Sequence, residues 1–569
     1  MNYHDIAEIA ILVAAMLVLS PLLAAYLEAV FGGKRHPLTF LEPVETAFYR
    51  LARLDKGEMD WRTYSLAVLS LGFVSLVVLT GILMGQAFLP LNPRHFPGMR
   101  WDLALNTSIS FITNTNWQSY SGESTLSYFS QAAGLAVQNF LSAAVGLAVV
   151  VAVIRGIVAR GQAGLGEKAT IGNFWVDMTK SVLYLLLPLS IIVALILASQ
   201  GVVQSLGDYV NFHGLAGAAS GAQASSARDG LIPLGPAASQ VAIKQLGTNG
   251  GGFFGQNSTH PFENPTPLSN LVELISIILI PAALPLLFGR MAGKRRQGRA
   301  LFGVMFLVFA IGAIAAIGAE QRWGSLEGKE LRNGISNSTL WAVTTTVTSN
   351  GSVDAMHDSL SPLAGMIPLI NLMLGEVIFG GVGSGLYGMF ALVFIAVFIA
   401  GLMVGRGPEY LGKKIEAREV QLSMVAIIVP NIVILVFAAI AASIPKALAS
   451  LGNPGAHGLS EVLYAFASAA GNNGSAFAGL NTNTYFWNLM QGAGMLLGRY
   501  GVIVPILGAA GSLAGKKTIP ESAGTFRTDT IVFGILLFFV ILIVAGLTHF
   551  PALTLGPILD HLGMVGAAR

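Results

Sequence analysis

Cysteine is absent from the 569-residue chain. That excludes disulfide frameworks, thiolate zinc sites, iron–sulfur ligation and thiol nucleophiles together. Charge is the second scarcity: Asp, Glu, Lys and Arg make up 11% of the residues, against about 25% in a soluble domain. A chain of this size with so few charges could not cover a water-facing surface, so a soluble enzyme is excluded. The net charge of +3 is too small for a nucleic-acid-binding surface. What is abundant is apolar, with 54% hydrophobic residues and a mean hydropathy of +0.68. Apolar runs long enough to cross about 30 Å of hydrocarbon begin near residues 5, 64, 129, 181, 268, 301, 364, 421, 486 and 529. The first, Ile6 to Phe31, has Asp5 and Glu8 in place of a basic start and no small-residue cleavage site after it, so it reads as a span and not a signal peptide.

The fold class predicted is therefore all-α, a polytopic membrane protein of about ten transmembrane helices. Orientation follows from Lys and Arg, which cytoplasmic loops retain. Alternate loops, holding Lys34 to Arg62, Arg155 to Lys180, Arg290 to Arg299, Arg406 to Arg418 and Lys516 to Arg527, contain 22 of the 32 basic residues. With ten spans, both termini are expected outside.

The opposite loops contain four mildly apolar segments too short to span, Leu105 to Ile112, Pro236 to Leu246, Ser336 to Val347 and Ser460 to Ala470. Each ends in a polar turn: Thr113-Asn114-Thr115-Asn116, Thr248-Asn249-Gly250-Gly251, Thr348-Ser349-Asn350-Gly351 and Gly471-Asn472-Asn473-Gly474. They fit re-entrant half-helices, because irregular backbone at membrane depth is tolerated only inside protein or beside water. Glycine there lets several carbonyl oxygens face one axis, and a ring of carbonyls can replace the hydration shell of a monovalent cation. The order of span, half-helix, turn and span, four times over, predicts four membrane-pore-membrane repeats around a central filter. The division is repeat 1 at 63–160, repeat 2 at 181–292, repeat 3 at 300–405 and repeat 4 at 420–512. An extra span with its cytoplasmic loop occupies 1–62, and an extra C-terminal span and tail 528–569.

The stretches TNTNWQSYSGE, LGTNGGGFF followed by HPFENPTP, GEVIFGGVGSGLYGM, GRGPEYLGKKIEARE and AGNNGSAFAGLNTNT resemble the KdpA family, the potassium-binding and translocating subunits of bacterial Kdp ATPases. The similarity runs over essentially the whole chain. The resemblance implies a fold shared with Trk, Ktr and HKT potassium transporters, and a complex with a P-type ATPase catalytic subunit and small accessory subunits in the bacterial inner membrane. It implies a potassium filter at Asn114, Thr248, Gly250, Ser349, Asn350, Gly351, Asn472 and Gly474, with Thr113, Gln118, Asn249 and Asn473 beside it. Potassium is the only metal it implies, and no resident cofactor. A stand-alone Trk/Ktr-like channel or symporter shares the filter logic; the motif Arg406 to Glu419 and the extra end spans favour the pump subunit.

Glu376 lies within the seventh apolar run, followed by Gly380, Gly381, Gly383, Gly385 and Gly388. A carboxylate at that depth is expensive, and the glycines disfavour a continuous helix. The resemblance reads Glu376, Gly380 and Gly381 as a movable gate beside the ion tunnel; close helix packing through Gly381-x-x-x-Gly385 is the other reading. Arg499 is a mid-span cation that would repel potassium unless paired with a carboxylate, and snorkelling is its alternative. Asp354, His357 and Asp358 stand at metal-ligand spacing, but a solvated acidic vestibule is the expectation. Gly407 to Lys414 nearly matches a phosphate-binding loop but lacks the Ser or Thr after the lysine, so no nucleotide site is expected. Nor does the chain contain Asp-Lys-Thr-Gly, the phosphorylated motif of P-type pumps.

Overall fold

The structure is a computed structural model and describes residues 3–159, 161, 169–212, 230–375, 377–520 and 526–567. Ten helices among the described residues are long and apolar enough to cross a membrane: α1 (Asp5–Phe31), α2 (Trp61–Phe88), α4 (Ser130–Val158), α5 (Phe174–Ser199), α7 (Pro267–Met291), α8 (Arg295–Trp323), α11 (Ser384–Val404), α12 (Ala417–Ala442), α14 (Tyr485–Ala514) and α15 (Ile531–Gly566). The protein is a multi-pass membrane protein. Among the short helices between spans, four lead into the polar turns: α3 (Trp101–Ile112), α6 (Ala237–Leu246), α9 (Gly334–Val347) and α13 (Gly455–Gly471). Three of them start earlier than the apolar pattern predicts, because the first turn of a re-entrant helix lies near water and does not need apolar residues.

Local chemistry sets the starts. Asp60 accepts from the Thr63 amide ahead of α2, and Thr266 and Ser269 cap one another around Pro267 at the first turn of α7. Thr484 and Thr530 cap α14 and α15 in the same way.

Burial separates the spans into two rings. Over the most apolar 18 residues of each, the helices that leave each short helix are central, with 83% of that stretch buried in α4, 72% in α7, 61% in α11 and 56% in α14. The helices that lead in are outer, at 22% for α2 and 39%, 39% and 33% for α5, α8 and α12. Both end spans are peripheral at 17%, and their exposed Leu, Ile, Val and Phe side chains suit lipid.

The stretch predicted as repeat 3 departs from the expected pattern. The run predicted to span from about 364 is instead a short helix, α10 (Pro362–Met373), a loop, and α11 from Ser384. Gly375, Gly381 and Gly383 and the non-glycine Phe379 all have positive φ, which no continuous helix allows. The break expected from the glycines is present. Gly381 lies in the loop, so it is not half of a helix-packing pair.

The stretch that mimics a phosphate-binding loop is a two-residue hairpin, β3 (Glu409–Tyr410) against β4 (Lys413–Lys414), turning through Leu411 and Gly412 at positive φ. An earlier two-stranded pairing joins β1 (Val210–Phe212) to β2 (Gly230–Ile232). Lys413 is buried and donates to the carbonyls of Gly156 and Leu513, at 2.9 and 2.7 Å. It therefore satisfies the last turns of α4 and α14. Burial pushes its ammonium down to about 8.

Helices α4 and α14 touch where Gly156 faces Ala510, and a Cβ at Gly156 would lie 2.5 Å from the Ala510 carbonyl oxygen. Replacing Gly156 by Val is expected to overpack this crossing at a cost of roughly 1–3 kcal/mol. Gly318→Ala in α8, where an added Cβ meets nothing within 4 Å, is the neutral or slightly stabilising control. Thermal melting of the two purified variants checks this; equal melting temperatures would remove the close crossing.

Candidate functional site

The four turns share one backbone plan. Counted from Thr113, Gly247, Thr348 and Gly471, the second residue of each is left-handed: Asn114 at φ 67°, Thr248 at 46°, Ser349 at 53° and Asn472 at 57°. The fourth residue is left-handed too: Asn116 at 54°, Gly250 at 80°, Gly351 at 88° and Gly474 at 97°. The third residue donates its amide back to the carbonyl five residues earlier, Thr115 to Ser110, Asn249 to Lys244, Asn350 to Thr345 and Asn473 to Ser468, at 2.8–3.0 Å. Each turn thus leaves the C-terminus of its short helix, the negative end of the helix dipole.

The turns close on one another. A Cβ at Gly250 would run into the carbonyl oxygen of Asn350, one at Gly351 into that of Asn473, and one at Gly474 into that of Thr115. Third-position carbonyls therefore pack against the fourth-position backbone of the neighbouring turn, and only glycine permits the approach. Side chains tie each seam. Asn114 donates to the Thr248 carbonyl at 2.9 Å, and Asn249 to Asn114 Oδ1 at 2.6 Å. Asn350 reaches the Lys244 carbonyl at 3.1 Å, and Asn473 the Thr345 carbonyl at 2.9 Å. Asn472 closes the circle on Thr115 Oγ1 at 3.0 Å.

All the residues singled out for the filter are brought into this ring, Gly474 half-buried and the others buried. Gln118 sits half-buried at its edge, donating to the Gly252 carbonyl at 3.1 Å, and Thr113 bonds Thr115 within the first turn. Thr115 and Asn116 belong to the ring on the same footing and were not predicted as members. The signal was available, since asparagine is the commonest substitute for glycine at positive φ.

Beneath the ring runs the loop between α10 and α11. The Gly381 amide donates to the Thr348 carbonyl at 2.7 Å, and the Val382 amide to Thr248 Oγ1 at 2.9 Å. Gly380 accepts from the Gly385 amide at 2.5 Å. Glu376 lies outside the described residues. A cavity of about 80 Å³ opens below the fourth turn, lined by Gly471, Asn472, Ser384, Tyr387, Arg499 and His549 among others. Arg499 is buried there and donates to the Ser142 carbonyl at 3.1 Å, and its Nε finds no hydrogen-bond partner among the described residues. It does not snorkel to an interface.

The acidic cluster after the third turn is not a solvated vestibule. Asp354 and His357 are buried; burial holds the Asp354 carboxyl well above the usual range and pushes His357 down to about 4. Asn333 donates to Asp354 at 3.0 Å and His357 bonds the Tyr464 hydroxyl at 2.8 Å, so both are packed polar groups. Glu273 is buried as well, and Gln245 and Ser258 donate to it at 2.6 and 2.8 Å.

Four re-entrant helix-and-turn elements, closed into a ring inside a ten-span bundle, define the protein as an ion-conducting type of membrane transporter. The profile of the family described as "KdpA: Potassium-transporting ATPase A subunit" matches residues 10–562. The chain belongs to that family. It is 54% identical to a potassium-transporting ATPase potassium-binding subunit of Pseudomonas aeruginosa over 99% of this chain and 100% of that one. It is 51% identical to a protein of the same description from Geobacter metallireducens, over 99% of each. Among solved structures it is similar to the potassium transporter TrkH from Vibrio parahaemolyticus, at a TM-score of 0.52 and 16% identity, covering 89% of this chain and 98% of that one. That likeness shows a shared fold.

The third-turn region also carries a clamp. His457 in α13 bonds Asp358 at 2.9 Å and Asp560 in α15 at 2.8 Å, with buried Glu461 nearby. The Asp358 carboxylate chiefly, then Asp560, raises its imidazole to about 9. Because the folded value lies above the ordinary one near 6.5, the clamp's contribution is complete below that pH and lost as pH rises through 9. Melting temperature should fall between pH 6.5 and 9 in the parent, and His457→Gln should flatten that part of the profile; identical profiles would dissolve the clamp.

Proposed function

We propose that this chain is the potassium-binding and translocating subunit of an ATP-driven potassium uptake complex. The packing of third-position carbonyls on Gly250, Gly351 and Gly474, closed at the remaining seam by Asn114 and Asn249, carries the reading. It concentrates backbone oxygens of four turns at one place, the arrangement that replaces the water shell of a monovalent cation. Potassium is here the cargo. The family membership and the 51–54% identity to potassium-binding subunits favour a pump subunit over a stand-alone channel, whose representative is 16% identical.

The chain lacks the phosphorylated-aspartate motif, so ATP is consumed by a P-type catalytic partner, with small accessory subunits completing the complex. The chain is non-catalytic. The basic loops set the orientation in a bacterial cytoplasmic membrane: ring and both termini outside, the β3–β4 hairpin and Lys413 inside. Asn114, Thr248, Gly250, Ser349, Asn350, Gly351, Asn472 and Gly474 form the filter. The loop bearing Glu376, Gly380 and Gly381 gates the cavity below, where Arg499 keeps cations from resting.

Gly250→Asp tests the filter, since it adds a side chain where the Asn350 carbonyl lies and a charge beside the ion path. In the reconstituted complex it should weaken potassium stimulation of ATP hydrolysis or admit other ions, and the chain without its partners should turn over no ATP. Unchanged ion preference and potassium dependence would end this assignment. A separate measurement addresses the gate. If Glu376 pairs with Arg499, transport by Glu376→Gln, Arg499→Gln and the double variant will be non-additive, while potassium binding changes less than transport. Simple additivity means that no pair forms.

A further inference from the structure

The four turns follow one plan, yet the residue that anchors each differs in one place. The carbonyl that receives the third-position amide belongs to Ser110, Lys244, Thr345 and Ser468. Three of these are small hydroxyl residues whose Oγ atoms serve their own turn: Thr345 and Ser468 accept from the amides of Gly351 and Gly474, and Ser110 donates to the Trp117 carbonyl. The fourth is a lysine, fully buried. A buried ammonium is tolerated only when paired and hydrogen-bonded. Lys244 spends its three protons on Asn257 Oδ1 at 2.7 Å, Ser258 Oγ at 2.9 Å and the buried carboxylate of Glu263.

The chain of bonds returns to the ring. Asn257, itself left-handed at φ 56°, donates Nδ2 to the carbonyl of Gly250 at 2.5 Å. The second oxygen of Glu263 accepts from the Phe254 amide at 2.8 Å, which fixes the loop carrying Asn257. Gln245, next to Lys244, accepts from Ser352, the residue after the third turn, at 3.0 Å. For scaffolding alone a hydroxyl suffices at this position, as the other three turns demonstrate. What the lysine adds is reach into the 257–263 loop.

We propose that Lys244 and Asn257 are positioning residues for ion selection: the buried ammonium holds the Asn257 amide, and that amide sets the direction of the Gly250 carbonyl. This rests on the reading of the ring as a potassium filter. Pulling on the amide oxygen, the ammonium makes Nδ2 a stronger donor. The Gly250 carbonyl is then aimed by the protein and not by whichever ion is present. One quadrant of the ring is stiffened by charge and the other three by neutral hydroxyls.

The test uses the full complex with its ATP-hydrolysing partner, reading potassium KM, the rubidium-to-potassium ratio, the maximal rate and the melting temperature. Asn257→Ala removes the bond to Gly250 and leaves the Lys244–Glu263 pair intact. Lys244→Met combined with Glu263→Gln removes both charges without stranding either. Both should raise the potassium KM by about tenfold or more and relax discrimination against rubidium, with the maximal rate within about threefold of the parent. Unchanged KM and ion ratio, a loss of melting temperature or rate without a change in ion preference, or failure of Asn257→Ala to assemble would each overturn the proposal. Gly351→Ala, in the ring but outside this network, separates the two readings. If it alone shifts ion preference, the positioning role falls and the filter stands; if no variant shifts it, the filter reading itself falls.

Discussion

A peptide group inside a membrane must find its hydrogen-bond partner within the protein. At four places this chain stops being helical among apolar spans, and the rest of the architecture supplies what those peptide groups need. The third-position amides bond back into the short helices, and asparagine side chains cross every seam. The most buried spans, α4, α7, α11 and α14, are the ones that come after the turns. Buried polar networks of this kind are either fully satisfied or destabilising. That explains why Lys244 and Glu263 are so completely bonded.

The seams also explain the glycines. Gly250, Gly351 and Gly474 combine a positive φ with a neighbour's carbonyl where a Cβ would be. The first turn solves the same backbone problem with Asn116, whose amide is held by Asn139 at 2.6 Å. The ring is therefore fourfold in backbone and not in side chains. Its asymmetry is largest in the second turn, where the anchoring residue carries a charge.

Most of the architecture was legible because it follows from periods and lengths. Ten long apolar runs and four short ones ending in Asn and Gly could be counted, and the glycines of the third repeat announced the break before α11. What could not be read depended on long-range neighbours. Asp354 and His357 looked like surface groups because acid and imidazole usually are, yet Asn333 and Tyr464, distant or unremarked in sequence, bury them. Nothing in the pattern of AASQVAIKQL singles out Lys244. Its role became visible only when Glu263 and Asn257, 19 and 13 residues on, were seen beside it. Asn116 was in plain view, but its membership depends on a dihedral angle that no composition reveals.

The loop under the ring has a mechanical consequence. Its Gly381 and Val382 amides are held by acceptors in two different turns, the Thr348 carbonyl and the Thr248 hydroxyl. To swing aside, the loop must surrender both at once or find replacements. On the proposed gating role, two bonds with a net worth of about 0.5–1.5 kcal/mol each make a latch weak enough for thermal opening and strong enough to hold the loop closed at rest. Because the two catches belong to separate quadrants, a twist of one turn against the other loosens the latch without any push on the loop itself.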